Sequence, residues 1–411
     1  MGTELTEKAL LHDWNTVGGA TPPLGRQIEL DDETLRDGLQ SPSVRNPPLN
    51  EKIEILHAIA ALGIQGADIG YPGASKTVLA DVIGLAKEID RAGLAIEPNC
   101  AGRTVPADIY PIAEAQERSG VAIEASLFLG SSPIRQYVEG WDIDFLVKTT
   151  HEAVSLARSL GVEVMYVTED TTRARPGDLE RLYRTAIEAG ARRICLADTV
   201  GHVTPWGVQN LVRFAVDLVA DIGEPIKIDF HGHRDRGLDI MNSLMAYASG
   251  ADRVHGCGLG IGERVGNTPM EGLLINLKLL GWIDNDLTSL PQYCDIVSRA
   301  VDVPVPINCP GVGKDAFETS TGVHAAAVLK ALQKGDTWLA NRVYSGVPAD
   351  QLGRKQVITV GPMSGQANAA AWLMNHDRAI DPETVETILA AAKASNKVLE
   401  DEEIFDLIGG R

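Results

Sequence analysis

The feature that most constrains this chain is an alternation: from about Gln27 to Gly281, short apolar runs alternate with longer amphipathic stretches. A parallel strand covered on both faces reads as a short apolar run, and returning to the same sheet edge requires a crossover helix with one apolar face. Runs ending near Asp31, Gly70, Glu97, Phe128, Val167, Ala197, Phe230 and His255 make eight such units, the number that closes a parallel sheet into a (β/α)8 barrel. Helical spacing predicts covering helices over Asn50 to Leu62, with Ile53, Leu56, Ile59, Ala60 and Leu62 on one side, and over Asp144 to Leu160.

A barrel takes about 250 residues, so a chain of 411 residues has material to spare. Residues 1–25, ending in Thr21-Pro22-Pro23-Leu24-Gly25, are expected to form an N-terminal arm, and 26–285 the catalytic barrel. Residues 286–411, with the Pro-rich Val303-Pro304-Val305-Pro306 early on, are expected to be a linker and a small, mainly helical C-terminal subdomain with a helix over Pro382 to Ala394.

A formal net charge of -19 opposes general binding to nucleic acid or to an anionic membrane, so neither is expected as a partner. An anionic substrate must therefore meet a local cluster of Arg, Lys or metal. The five cysteines are scattered without a CxxC pair, which fits a reducing compartment. The opening MGTELTEKALLHDWN has neither the basic nor the apolar region of a signal peptide, and no apolar run approaches the roughly 20 residues of a membrane span. A cytoplasmic protein is expected.

In such a barrel the C-terminal strand ends face the active site. Phe230-His231-Gly232-His233 sets two imidazoles on one face of a strand end, because side chains two residues apart point the same way. Asp32-Glu33-Thr34-Leu35-Arg36-Asp37-Gly38-Leu39-Gln40 brings a carboxylate, a guanidinium and an amide to the same rim, with Asp37 a third ligand beside the histidines. Mixed nitrogen and oxygen ligation with open positions suits Mg²⁺, Mn²⁺ or Zn²⁺. The run Gly258-Leu259-Gly260-Ile261-Gly262-Glu263-Arg264-Val265-Gly266-Asn267 allows close backbone approach to a ligand but lacks GxGxxG spacing and follows the last strand, which sets aside a dinucleotide fold. His233-Arg234-Asp235 mimics a kinase catalytic loop, yet Ile240 stands where the required Asn would be.

Taken together, TLRDGLQ, IGYPGAS, VTEDTTR, LADTVGHVTP, HGHRD, GIGERVGN and TGVH resemble the DRE-TIM metallolyase superfamily, in its 2-isopropylmalate, homocitrate and citramalate synthase branch. The resemblance implies condensation of acetyl-CoA with a 2-oxo acid, 2-oxoisovalerate ranking ahead of pyruvate and 2-oxoglutarate. It further implies that Asp37, His231, His233 and Asn267 hold the metal, that Arg36, Glu169, His324 and Tyr344 are catalytic, and that Gln40, Thr199, Arg135 and Met165 line the substrate site. A capping role is the alternative for Thr199. A homodimer is implied, with the tail carrying His324 crossing to the partner, and no leucine-sensing domain is expected.

The chain departs from the branch in places. Arg234 follows the second histidine where Asn is usual, Thr319 and Met363 stand where histidines are common, and Ser131 to Arg135 replaces the usual Ser-Asp-x-His. Met165 occupies the place of the arginine with which homocitrate synthases hold a distal carboxylate. Acyl-CoA lyases of the superfamily carry a catalytic Cys where this chain has Gly258, which favours condensation over cleavage; a metal-dependent acyl-CoA lyase or aldolase and a non-catalytic metabolite-binding barrel are the alternatives.

Overall fold

The computed structural model describes residues 10–17 and 27–410. Eight parallel strands close in sequence order: β1 (Glu29–Asp32), β2 (Gly66–Asp68), β3 (Glu97–Arg103), β4 (Glu124–Gly130), β5 (Val164–Glu169), β6 (Arg193–Asp198), β7 (Lys227–Gly232) and β8 (Arg253–Gly256). The sheet closes where Glu29 pairs with Arg253 and Asp32 with Gly256. Helices alternate with the strands, so the fold is the expected (β/α)8 barrel.

Seven strand ends fall within two residues of expectation. The exception is β3, which begins rather than ends at Glu97. The apolar Leu94-Ala95-Ile96 only leads into it; the strand itself, Glu-Pro-Asn-Cys-Ala-Gly-Arg, is poor in β-formers and is held extended by pairing with β2 and β4. Helices lie over Leu49–Ala61, over Ile143–Ser159, where the Asp142 carboxylate caps by accepting from the Phe145 N–H at 2.7 Å, and over Pro382–Ala394.

The barrel's apolar core continues past residue 285, since Leu290, Tyr293, Cys294 and Val297 on the helix Leu290–Val301 belong to it. Beyond this, helices Gly322–Gln333, Gln366–Asn375, Pro382–Ala394 and Asp401–Leu407 bury separate clusters, including Trp372, Leu373, Ile388 and Ile404 in one and Ala325, Val328 and Ala371 in the other. A short parallel pair, Glu318–Thr319 with Val357–Ile358, ties this region together. Of the expected N-terminal arm, residues 1–9 and 18–25 lie outside the described residues. No helix among the described residues is long and apolar enough to cross a membrane.

The lower barrel interior is charged. Buried Arg193 meets Asp229 at 2.6 Å and Glu29 at 2.8 Å, while buried Arg253 meets the other Asp229 oxygen at 2.5 Å and Glu124 at 2.9 Å. Charges withdrawn from water persist only when paired, and deleting one partner strands the other. Arg253→Leu should therefore destabilise the fold by about 3–5 kcal/mol, seen as a lowered calorimetric midpoint. Arg118→Ala, which removes an exposed pair with Glu114, should scarcely move it.

Candidate active site

A cavity of about 290 Å³ opens at the C-terminal ends of the strands. Its charged side is built by Glu33, Arg36 and Asp37 after β1 and by His231 and His233 from β7, and its apolar side by Ala101, Phe128, Met165 and Val167 from β3 to β5. Gln40, Glu169, Thr199 and His255 also line it.

Alternation carried one residue past β7 turns both His231 and His233 inward, and the turn after β1 brings Asp37 against them. Asp37 Oδ2 lies 3.4 Å from His231 Nε2 and 3.6 Å from His233 Nε2. Such separations exceed good hydrogen bonds and match those left between ligands around a cation bound at about 2.0–2.2 Å. The Gly-rich loop folds back on β7, with Asn267 in an antiparallel bridge to His233, Arg234 N–H donating to Gly266 O at 3.0 Å and Thr268 N–H to Gly232 O at 3.0 Å. This path needs glycine at two points: Gly262 and Gly266 have φ of +148° and +100°, and a Cβ would strike Asn267 and the Gly260 carbonyl respectively. Asn267 donates through Nδ2 to Ile261 O at 3.1 Å, leaving its Oδ1 buried without a partner; His233 Nδ1 is likewise unpartnered. Burial, helped by nearby His231, pushes the His233 imidazole down to about 4, so it is neutral and ligand-ready near pH 7. Two imidazoles, a carboxylate and an orphaned amide oxygen fit a divalent cation.

A second group, Glu33, His231 and His255, is also close enough to hold an ion. Its spacing differs: Glu33 Oε2 is 2.6 Å from His231 Nδ1, Glu33 Oε1 is 3.1 Å from His255 Nδ1, and His255 Nε2 is 2.9 Å from Asp229 Oδ2. Although burial opposes both charges, the carboxylates push His255 up to about 10, and the imidazoles hold Glu33 well below its usual range.

Arg36 spans three acids, with Nε 2.6 Å from Asp68 and other nitrogens 3.2 Å from Glu33 and 3.4 Å from Asp37. Desolvation pushes the Asp68 carboxyl up to about 7 against the pull of Arg36. Burial also raises Glu169, opposed by Arg135 at 3.6 Å. The Thr199 hydroxyl accepts from the Asp170 N–H at 2.8 Å and keeps its own proton to donate; the cap of the following helix is Thr204. Arg264, held at φ +58°, locks three loops together by donating to Asp235 at 2.8 Å and to Thr199 O at 2.7 Å.

The sequence-predicted residues Arg36, Asp37, Gln40, Met165, Glu169, Thr199, His231 and His233 all line one cavity, with Asn267 beside them. Others do not. Arg135 lies outside the lining, paired with Glu139 at 2.8 Å and stacked over Trp141. Arg234 also lies outside it, with its guanidinium against Gly260. His324 and Tyr344 stack on each other at 4.0 Å, exposed and apart from the lining residues. Missed by sequence reasoning were Glu33, Asp68, Tyr71, Glu263 and His255, although Val254-His255-Gly256 ends the strand next to HxH and invites the same argument.

A raised histidine stabilises the fold fully below its unfolded pKa and loses that contribution as pH climbs through the folded value. Unfolding midpoints should therefore fall between pH 6.5 and pH 10 by a loss on the order of a few kcal/mol, and His255→Gln should flatten the dependence.

The HMGL-like family model matches residues 27–297. Over 83% of this chain, a "Probable 2-isopropylmalate synthase" of Methanopyrus kandleri is 30% identical, and the chain spans 64% of that synthase, under two-thirds of its length. A homocitrate synthase of the same organism is 31% identical over 90% of this chain and 89% of its own. Among solved structures, an HMG-CoA lyase of Bacillus subtilis superposes with a TM-score of 0.58 at 19% identity, covering 70% of this chain and 97% of the lyase, a likeness of fold. The ordered motifs, the closed barrel and the extent of the match agree: the chain belongs to the HMGL-like, DRE-TIM metallolyase family.

Proposed function

We propose that the protein condenses acetyl-CoA with a 2-oxo acid and releases CoA by hydrolysis, as a 2-isopropylmalate synthase acting on 2-oxoisovalerate. The observation that carries this reading is the open Asp37–His231–His233 centre facing an apolar wall within one cavity. A divalent cation bound there, Mg²⁺, Mn²⁺ or Zn²⁺, supplies Lewis-acid polarisation of the 2-oxo group.

The chain's own groups do the rest. Thr199 donates its hydroxyl proton to the acceptor's carboxylate, and Gln40 closes the rim. Arg36, anchored by Asp68, offers positive charge to the oxygen that becomes anionic as the carbon–carbon bond forms. Removing the weakly acidic methyl proton of acetyl-CoA falls to His324 with Tyr344, and Glu169, raised by burial, assists in proton transfer. Because His324 and Tyr344 do not line their own barrel's cavity, they serve a partner's, in a homodimer with exchanged C-terminal subdomains. Five free cysteines fit a cytoplasmic setting.

Met165, Val167, Phe128 and Ala101 favour an apolar acceptor side chain, and Arg36 is the one guanidinium among the described lining residues. The expected order is 2-oxoisovalerate, then pyruvate, then 2-oxoglutarate.

Free-thiol release from acetyl-CoA should appear with 2-oxoisovalerate, vanish in EDTA and return with Mn²⁺ or Mg²⁺; no thiol release with any 2-oxo acid would refute the reading. Mixing the separately inactive Asp37→Ala and His324→Ala chains should restore up to about a quarter of wild-type activity if sites are shared across a two-fold dimer. No recovery after verified subunit exchange would place His324 in its own barrel.

A further inference from the structure

Two groups in the barrel mouth share His231, and each brings three ligand-capable side chains together: Asp37, His231 and His233, and Glu33, His231 and His255. Composition does not distinguish them, but spacing does. In the first, the carboxylate stands 3.4 and 3.6 Å from the imidazole nitrogens, room that a cation takes up. In the second, the carboxylate sits at 2.6 and 3.1 Å, which is direct hydrogen bonding with no space for an ion between the groups. His255 presents its other nitrogen to Asp229 at 2.9 Å, so both of its ring nitrogens face carboxylates and both donate. A ring donating from both nitrogens has no lone pair for a metal.

We infer that Glu33 and His255 form a clamp that positions His231 rather than a second metal site. Asp229, held by Arg193 and Arg253 at 2.6 and 2.5 Å, anchors His255; His255 fixes one oxygen of Glu33; the other oxygen accepts from His231 Nδ1–H. That bond selects the tautomer with its lone pair on Nε2, the atom facing Asp37. Glu33 and His255 are thus positioning residues, acting on the cation through His231. The inference rests on the metal reading of Asp37, His231 and His233 and is independent of which 2-oxo acid is used.

Metal-free full-length protein is titrated with Co²⁺, following the visible absorption of the bound ion and the stoichiometry by calorimetry, with no substrate present. Wild type should bind one ion per chain. Glu33→Gln and His255→Leu should each weaken binding by about 10–100-fold and alter the Co²⁺ spectrum, while His255→Gln, still able to donate to Glu33, should recover much of the affinity. Circular dichroism and unfolding midpoints of the metal-free variants separate loss of fold from loss of binding, and Glu33→Gln carries the test if His255→Leu fails to fold. Wild-type affinity and spectrum in Glu33→Gln and in a folded His255→Leu would overturn the clamp alone. Two ions per chain in wild type, with one lost in His255→Leu, would replace it by a second metal site. No uptake by wild type would remove the metal centre and the clamp with it, whereas normal uptake without thiol release would remove only the proposed reaction.

Discussion

The arrangement depends on one carboxylate. Glu33 is buried at the end of β1 and shared by three cationic or hydrogen-donating groups, Arg36 at 3.2 Å, His231 at 2.6 Å and His255 at 3.1 Å. Burying a carboxylate is unfavourable unless every lone pair is used, and here the compensation comes from three side chains that line the cavity. Satisfying Glu33 and aiming the site are therefore a single structural requirement. The charged network beneath extends that logic downward, since Asp229 answers to His255, Arg193 and Arg253 together.

Above this floor, the rim is assembled from loops that constrain one another. Arg264 adopts a left-handed backbone, a conformation costing roughly 1 kcal/mol or more for a residue with a side chain, and ties the loop after β8 to the turns after β6 and β7. The glycines on either side let the same loop press Asn267 against His233. The Gly-rich run thus places the Asn267 amide beside His233.

Much of this was legible in the amino-acid sequence, because its signals are local. Period-two alternation at His231 and His233 and apolar runs at eight regular places depend on neighbours in sequence. What was hidden depends on neighbours in space. β3 carries weak strand formers and is extended because its neighbours pair with it. Glu33, Asp68 and His255 come together from three strand ends, and no spacing along the chain announces that meeting. Arg135 was legible as a cation near the mouth, but its engagement with Glu139 and Trp141 follows from a short helix whose direction only packing determines.

The cavity is divided by strand order. The groups around Asp37 and His231 come from β1, β7 and β8, which adjoin one another where the barrel closes, whereas Ala101, Phe128, Met165 and Val167 come from β3 to β5 on the far side. Below the cavity floor the two sides are tied by Arg253, which meets Glu124 of β4 at 2.9 Å and Met165 Sδ at 3.3 Å, and by Asn99 of β3, which donates to Asp31 at 2.8 Å. A barrel divided in this way can drift in what it accepts while conserving what it does, so substrate preference becomes a trait evolvable by exchanging a handful of strand residues without rebuilding the reactive centre.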